Sequence, residues 1–344
     1  MKILFFVRRF YPQIGGVEKH TLEIARRLVE KGYKVIVVTE NIEESYSRDK
    51  QSISSSAKIA GEIDGIDIYR INSGKDNWFK KFRIWKEIWL LRRLIVESDI
   101  INCHDVFFWY LPFSFLWWTK PVYITFHGYE AYPVKWKAII VRKISEILSD
   151  GNICIGDFIK KYYKTIPDYV SYGGVNLPKT IKPYKKERSV AYIGRFDQNT
   201  GFEVFLKAFD YLKDFSFIAV GDGNLRNEIK KQVEVHKFTN QTDSYRQEAH
   251  FAFASGFLSI MEAMANKRLV FSVNETPIRN DYLKMSPFAE FIVIEKDPKK
   301  LAEKVGYYLK NKEKEKELVD KAYDWVKNQT WDKVTDLYIK LWNK

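Results

Sequence analysis

The chain is short of cysteine, of long apolar runs and of acid relative to base, and each shortage removes a class of function. Cys103 and Cys154 are its only cysteines. Both sit in apolar strand-like runs at a spacing that fits no zinc or redox motif, so buried thiols in a reducing compartment are expected. No apolar stretch approaches the ~20 residues that cross a bilayer. The start, MKILFFVRRFYPQ, breaks its apolar run too early for a signal peptide, and a cytoplasmic protein is expected. GxxxxGK[ST] is missing, which argues against a P-loop nucleotidase. There are 57 Lys and Arg against 44 Asp and Glu, a formal net charge of +13. That surplus suggests an anionic partner: nucleic acid, anionic lipid or a phosphorylated small molecule.

What is present is a repeating α/β pattern. With 344 residues, 46% of them hydrophobic, two domains are the natural expectation. KILFFVRRF precedes a glycine turn and a helix over Val17–Lys31, with Leu22, Ala25, Leu28 and Val29 on one face; Gly32 ends it and KVIVVTE is the next buried strand. The polar segment 41–58 reads as a loop and GIDIYRI as a strand. A cationic aromatic helix follows over 78–97, then the strands DIINCHD and PVYITFHG, a helix through Val141–Leu148, and GNICIG. TIKPYKKERS reads as a linker. The pattern restarts with VAYIGRF and runs through FSFIAVGDG, a helix from Asn224, EAHFAFA, a helix after Ser259, RLVFSV and EFIVIE. Alternating strands and helices imply parallel sheets covered on both faces. The expected architecture is two Rossmann-like lobes facing a cleft, residues 1–178 and 188–324, with a C-terminal helix, 325–344, packing back on the first lobe.

Three glycine turns follow strands: Gly15-Gly16, Gly194-Arg195 with Gly201, and Gly221-Asp222-Gly223. A strand end leading into a helix N-terminus offers backbone N–H groups to an anion, so a phosphate-bearing ligand is favoured. FYPQIGGVEKHTLEIARRLVEKGYKVIVVT, TFHGYE, YGGVNL, YIGRF with Gly201, VGDGNLRNEI and SIMEAMA occur in an order and spacing that resembles the family-4 glycosyltransferases, over most of the chain. The resemblance implies a GT-B fold and a retaining sugar transferase of the hexosyltransferase type. It also implies a nucleotide-diphosphate sugar, UDP or GDP type, as substrate, with no cofactor and no obligatory metal. No Asp-x-Asp occurs, in agreement.

Breaking the bond between C1 and a diphosphate builds negative charge on the leaving group, which cations and helix N-termini must neutralise. The resemblance assigns Arg195 to the diphosphate, and Gly15, Gly16, Gly221, Gly223 and Ser259 to the donor site. Where the family usually has lysine this chain has Thr200, which carries a hydroxyl and no charge. Glu262 matches the second Glu of the family's paired-Glu pattern and is implied to accept from the ribose hydroxyls. The first Glu falls on Ala254 or Ser255. A ligand-free reading of the same stretch makes Ser259 the N-cap and Glu262 the N3 partner of a capping box. His127 matches the family's histidine near the donor sugar and is taken with Arg195 as catalytic; His104 is read as structural, and Glu18 as a first-turn acid.

WFKKFRIWKEIWLLRRLIVE mixes tryptophan with lysine and arginine, as interfacial helices do. Lys80, Lys81, Arg83, Trp85 and Trp89 are expected to dock the first lobe on the inner membrane face, near a lipid-linked or polysaccharide acceptor. Two rivals stand beside this reading. One is a degenerate relative that binds nucleotide sugars or partners without efficient catalysis, motivated by Thr200 and Ala254. The other is nucleic-acid binding, against which no recognised module appears.

Overall fold

The computed structural model describes residues 1–13, 15–41, 61–129, 131–239 and 241–344; beyond Asn41, the expected loop at 41–58 lies outside them. The chain divides into two compact units. The first comprises 1–155, 159–171 and 334–344, the second 156–158 and 172–333.

The first unit holds an eight-stranded sheet of β1 (Lys2–Val7), β2 (Lys34–Glu40), β3 (Gly61–Ile63), β4 (Ile66–Ile71), β5 (Ile100–His104), β6 (Val122–Phe126), β7 (Gly151–Ile155) and β8 (Tyr169–Ser171). Its order is β3-β4-β2-β1-β5-β6-β7-β8, parallel except for the β3–β4 pair. In β1, β5, β6 and β7 nearly every residue is buried. That explains why these strands read as continuous apolar runs rather than alternating ones. Cys103 and Cys154 are buried there as free thiols.

The second unit holds β9 (Lys186–Ile193), β10 (Ser216–Val220), β11 (Val233–His236), β12 (Ala249–Phe253), β13 (Leu269–Ser272) and β14 (Val293–Ile294). These run in the order β11-β10-β9-β12-β13-β14 and are all parallel. Its core is aromatic: Phe196 stacks on Phe202 at 4.5 Å and Phe205 on Phe253 at 4.6 Å. The order reverses between β1 and β5 in one sheet and between β9 and β12 in the other, the switch points at which open α/β sheets hold ligands.

Four local expectations are corrected. The helix at 78–97 is two helices, Lys80–Leu90 and Arg92–Glu97, separated at Leu91. The helix from Asn224 is only a 3-10 turn, Arg226–Glu228, because the chain must already be extended as β11 at Val233. The stretch read as a linker includes the start of β9. The helix expected at Val141 begins at Trp136. A further helix, Phe107–Leu116, escapes periodicity because FFWYLPFSFL is apolar on every side. Among the described residues no helix is long and apolar enough to cross a membrane.

Candidate active site

β9 delivers Gly194 and Arg195 to the switch point of the second unit. The Arg195 side chain is 59% exposed, with its guanidinium 3.6 Å from Asp197. Its carbonyl accepts from the Tyr192 hydroxyl at 2.8 Å and lies 2.8 Å from Thr200 Oγ1, which is also 2.6 Å from the Asp197 carbonyl. Burial pushes the Tyr192 hydroxyl up to about 12, so it stays a donor at neutral pH. Tyr192 and Thr200 therefore hold the loop that presents Arg195.

The glycine turns act on one another. A Cβ on Gly221 would lie 1.9 Å from the Gly194 carbonyl oxygen, and one on Gly223 2.6 Å from that of Phe196. Gly201 has φ +71°, and a Cβ there would meet Val273 at 2.0 Å. Gly194 donates to Val220 O, Gly221 to His236 O, and Phe196 to Asp222 O, at 2.9–3.0 Å. Gly223 donates to Asp222 Oδ1 at 2.9 Å. Of these N–H groups, expected to face an anion, those of Gly194 and Phe196 bind the two loops together, that of Gly221 ties its turn to the end of β11, and that of Gly223 closes on its neighbour; the glycines let backbone touch backbone.

Across the switch point, the helix Phe257–Ala265 begins at Gly256, whose extended backbone makes it the N-cap. Ser259 is at N3, its Oγ accepting from Gly256 N at 3.2 Å and donating to Gly256 O at 2.9 Å. The box expected with Ser259 as N-cap and Glu262 at N3 is thus displaced by one turn. Glu262 lies in the second turn, where its carboxylate takes a hydrogen bond from the buried Arg246 guanidinium. The first N–H of the helix, on Phe257, donates to the Tyr282 hydroxyl at 2.8 Å. Ala254 and Ser255 are buried, and Ser255 Oγ donates to Thr200 O, tying the two strand ends together.

The first unit gathers imidazoles. His104 ends β5 and is buried, with Nδ1 2.9 Å from Nε2 of His127, which follows β6. The backbone N–H of His127 donates to Asp105 at 3.1 Å. His20, on the helix Gly16–Glu30, meets the His127 ring edge-on at 4.8 Å, and its Nε2 is 2.9 Å from the Tyr338 hydroxyl. That hydroxyl is in turn 2.9 Å from Thr125 Oγ1. Burial holds all three histidines well below their ordinary value; a neighbouring imidazole adds to this in each, and Arg142 adds to it for His127. A neutral imidazole has one donor and one acceptor nitrogen, so the His104–His127 contact needs complementary tautomers. His104 is thus a buried hydrogen-bond partner of His127, and the sequence reading passed over His20. At the start of the His20 helix, a Cβ on Gly15 would lie 2.2 Å from the Glu18 carboxylate, whereas Gly16 has open space. Among the described residues no group of His, Cys, Asp and Glu is placed to hold a metal ion.

Of the residues expected to dock on lipid, three turn inward. Lys80 pairs with Glu40 at 3.1 Å. Arg83 donates to Ser73 O at 2.9 Å and Asn77 Oδ1 at 3.0 Å. Trp85 Nε1 donates to Phe108 O at 2.9 Å. Lys81 and Trp89 are exposed, and so are Trp78, Phe79 and Phe82.

Residues 14–178 match the model of Glycosyltransferase Family 4, and residues 176–325 that of Glycosyl transferases group 1. The chain belongs to the family-4 glycosyltransferases. It is 24% identical over 253 residues to a Campylobacter jejuni enzyme, GalNAc-alpha-(1->4)-GalNAc-alpha-(1->3)-diNAcBac-PP-undecaprenol alpha-1,4-N-acetyl-D-galactosaminyltransferase, a match that covers 68% of this chain and 65% of that relative's length. Sucrose-phosphate synthase from Thermosynechococcus elongatus has the same fold, with a TM-score of 0.76 at 14% identity, covering 99% of this chain and 98% of that one. So does Anabaena HepE, solved in complex with UDP and glucose, with a TM-score of 0.70 at 11% identity and the same coverage. The expected GT-B fold is thereby shown.

Close to Thr200, and to Ala254 and Ser255, where the resemblance leaves the lysine and the first Glu of the family pattern unmatched, stand a cation and a carboxylate. Arg279 is buried on the helix Pro277–Lys284, donates to Ser255 O and lies 4.9 Å over the Tyr282 ring. Glu275 places Oε2 3.3 Å from where a Gly201 Cβ would be. Burial raises its pKa and the Arg279 charge opposes that rise. Neither residue was found from the sequence. The signal was the Thr276-Pro277 helix start, with Thr276 Oγ1 accepting from Arg279 N at 3.3 Å.

Proposed function

We propose that the protein moves a hexosyl group from a UDP- or GDP-type sugar to a lipid-linked or polysaccharide acceptor, with retention and without an obligatory metal. The observation that carries this reading is Arg195. It is a cation held out at the carboxyl end of β9 by a loop that Tyr192, Thr200 and three close-packed glycines brace from behind. An exposed cation on a braced loop, with only a 3.6 Å contact to Asp197, suits a leaving diphosphate, which it can meet without first giving up a strong partner.

Arg279 and Glu275 take the parts left open at Thr200 and Ala254: added positive potential behind the diphosphate, and a carboxylate toward the donor sugar. Glu262, held by Arg246, keeps its carboxylate aligned for the ribose. His127 works as a neutral hydrogen-bonding group. A cationic imidazole would oppose the oxocarbenium-like sugar, and burial beside His104 and Arg142 keeps the ring uncharged. A lipid-linked acceptor is supported by the undecaprenol-linked glycan in the Campylobacter relative's name. It is also supported by the exposed Trp78, Phe79 and Phe82 beside Lys81, which suit an anionic membrane surface.

Thermal shift against UDP, GDP, ADP and their sugars tests the donor; ligand at about 100 times its Kd should stabilise the fold by roughly 2.7 kcal/mol. The expected result is a shift with one nucleotide class that Arg195→Ala abolishes, followed by turnover in EDTA with an α-configured product from an α-configured donor. Binding without turnover on any acceptor would favour the degenerate relative instead.

A further inference from the structure

The helix Trp136–Ile147 is built inside out. The side chains it buries are Arg142 and Ser145. Trp136, Ile140, Ile144 and Ile147 fall on one helical stripe and face outward, Trp136 at 65% exposure and Ile147 at 77%. A surface helix ordinarily shows the reverse arrangement. The cause is the arginine. Its guanidinium lies 3.7 Å over the Tyr163 ring and 5.3 Å over Phe126, and donates to Gly128 O. Rotating the isoleucines inward would pull that buried cation off its aromatic bed, so the helix is locked with its apolar stripe in solvent. Large apolar side chains left in water forgo the free energy of burial, which makes a covering surface favourable.

The charges around the stripe say which surface. Lys135 and Lys137 are exposed at its N-terminal end. The single acid of the helix, Glu146, is engaged by Lys143 at 3.0 Å and by the Ile166 N–H at 3.1 Å. Ile166, fastened beside the helix end in this way, is itself exposed. Among the described residues, a stripe with exposed Lys135 and Lys137 at one end, the latter 5.7 Å over the Trp136 ring, and with its own acid paired, complements anionic lipid. A two-fold contact with a second copy would set the same cationic face against itself. Other positions of the helix, among them Lys137, Val141 and Arg142, line a cavity of about 240 Å³ with Phe107 and Phe108 of the helix Phe107–Leu116. That helix leaves Phe115 and Leu116 exposed and packs in turn on Lys80–Leu90 through Trp85 and Trp89.

We propose that the helix Trp136–Ile147 inserts its Trp136, Ile140, Ile144 and Ile147 stripe into the interface of an anionic bilayer, as a docking element separate from the segment around Trp78. The inference extends the membrane reading above but rests on a different helix. It would set the His127 loop, which leads directly into this helix, at the lipid surface where the head of a lipid-linked acceptor lies.

The test uses the full chain. Both native thiols are buried, so Ile144→Cys can carry an environment-sensitive fluorophore selectively. On vesicles of phosphatidylglycerol and phosphatidylcholine the label should shift to the blue and be quenched by a bilayer-embedded quencher, and on phosphatidylcholine alone it should do neither. The combined Ile140→Ser, Ile144→Ser, Ile147→Ser variant should partition onto the anionic vesicles about tenfold less, with its nucleotide thermal shift intact. An unshifted label on vesicle-bound protein would overturn this proposal while leaving the Trp78 segment as the docking element. A Trp78→Ser, Phe82→Ser variant that binds normally with the label still buried would do the opposite. Failure to bind either vesicle at low salt, or a label that shifts with protein concentration in the absence of lipid, would also reject it; the latter would point to a second copy of the chain.

Discussion

The two sheets share a strand order around their switch points and put opposite chemistry there. At the ends of β5 and β6 the first unit collects His20, His104 and His127, all kept neutral by burial. At the ends of β9 and β12 the second unit sets out Arg195, with the buried Arg279 and Arg246 engaged by a carbonyl and a carboxylate. Topology thus supplies an address in both units, and side chains decide what can be bound there.

Glu262→Ala should show the largest effect. It leaves Arg246, 4% exposed, with Thr242 Oγ1 and the Asp243 carboxylate at 3.6 Å as its remaining partners, so the loss should approach without reaching the about 3–5 kcal/mol of a buried charge stripped of its pair. Chemical denaturation should report that loss. Replacing both partners with apolar residues of similar volume should restore most of it, without restoring nucleotide binding. If the single variant is as stable as the parent, the pair is not part of what holds the second site.

Arg195→Ala separates binding chemistry from folding. Its exposed side chain makes only a long contact with Asp197, so stability should move by less than about 0.5 kcal/mol. Turnover should fall roughly 100- to 1,000-fold if the guanidinium meets the leaving group in the transition state. A fall in affinity alone, with kcat unchanged, would instead make Arg195 a uniform binding residue.

The histidines of the first unit predict a pH dependence. Their folded pKa values lie below the unfolded value of about 6.5, so below that pH the unfolded chain binds protons that the folded chain refuses. Stability is therefore full above about pH 6.5 and declines as pH falls through it, by up to about 1.4 kcal/mol per pH unit for each histidine kept neutral. Urea titrations from pH 7.5 to 5.5 would measure the slope. His104→Gln should flatten it by about one histidine's share, and an unchanged slope would mean that His104 is protonated in the fold.

Much of this was legible in the sequence, for reasons that differ by element. The strands of both sheets announced themselves because buried parallel strands are apolar throughout, as in KVIVVTE and VAYIGRF. The strand-end positions of Arg195 and His127 were legible because each lies inside a motif. The pairing of His104 with His127 was not, since β5 and β6 come together only when the sheet forms. Arg279 and Glu275 sit after β13 in a stretch whose one signal is the Thr276-Pro277 helix start, and only the fold carries them to the Thr200–Gly201 turn. Ser259 and Glu262 were misplaced by one helical turn because Ser-x-x-Glu has the spacing of a capping box. Gly256, which has no side chain to signal a cap, was the actual start. Lys80, Arg83 and Trp85 read as outward because they are charged or amphipathic, yet each finds a partner on the protein.

The smallest effect gives the finest test of whether the second unit compensates for its missing lysine. The hydroxyl of Thr200 has one proton to share between the carbonyls of Arg195 and Asp197, and the Arg195 carbonyl also has Tyr192. Removing the hydroxyl in Thr200→Val should cost only about 0.5–1.5 kcal/mol. Thr200→Lys should cost a similar amount of stability while restoring the cation of the family pattern. If Arg279 already supplies the positive potential, turnover of Thr200→Lys should stay within about twofold of the parent, and Arg279→Gln should become less damaging in the lysine background than in the parent, a coupling between neighbours that a double-mutant cycle reads directly. Should Thr200→Lys raise kcat tenfold or more by itself, the threonine would mark a real deficit in leaving-group stabilisation, and Arg279 would be no more than a support for the Ser255 carbonyl.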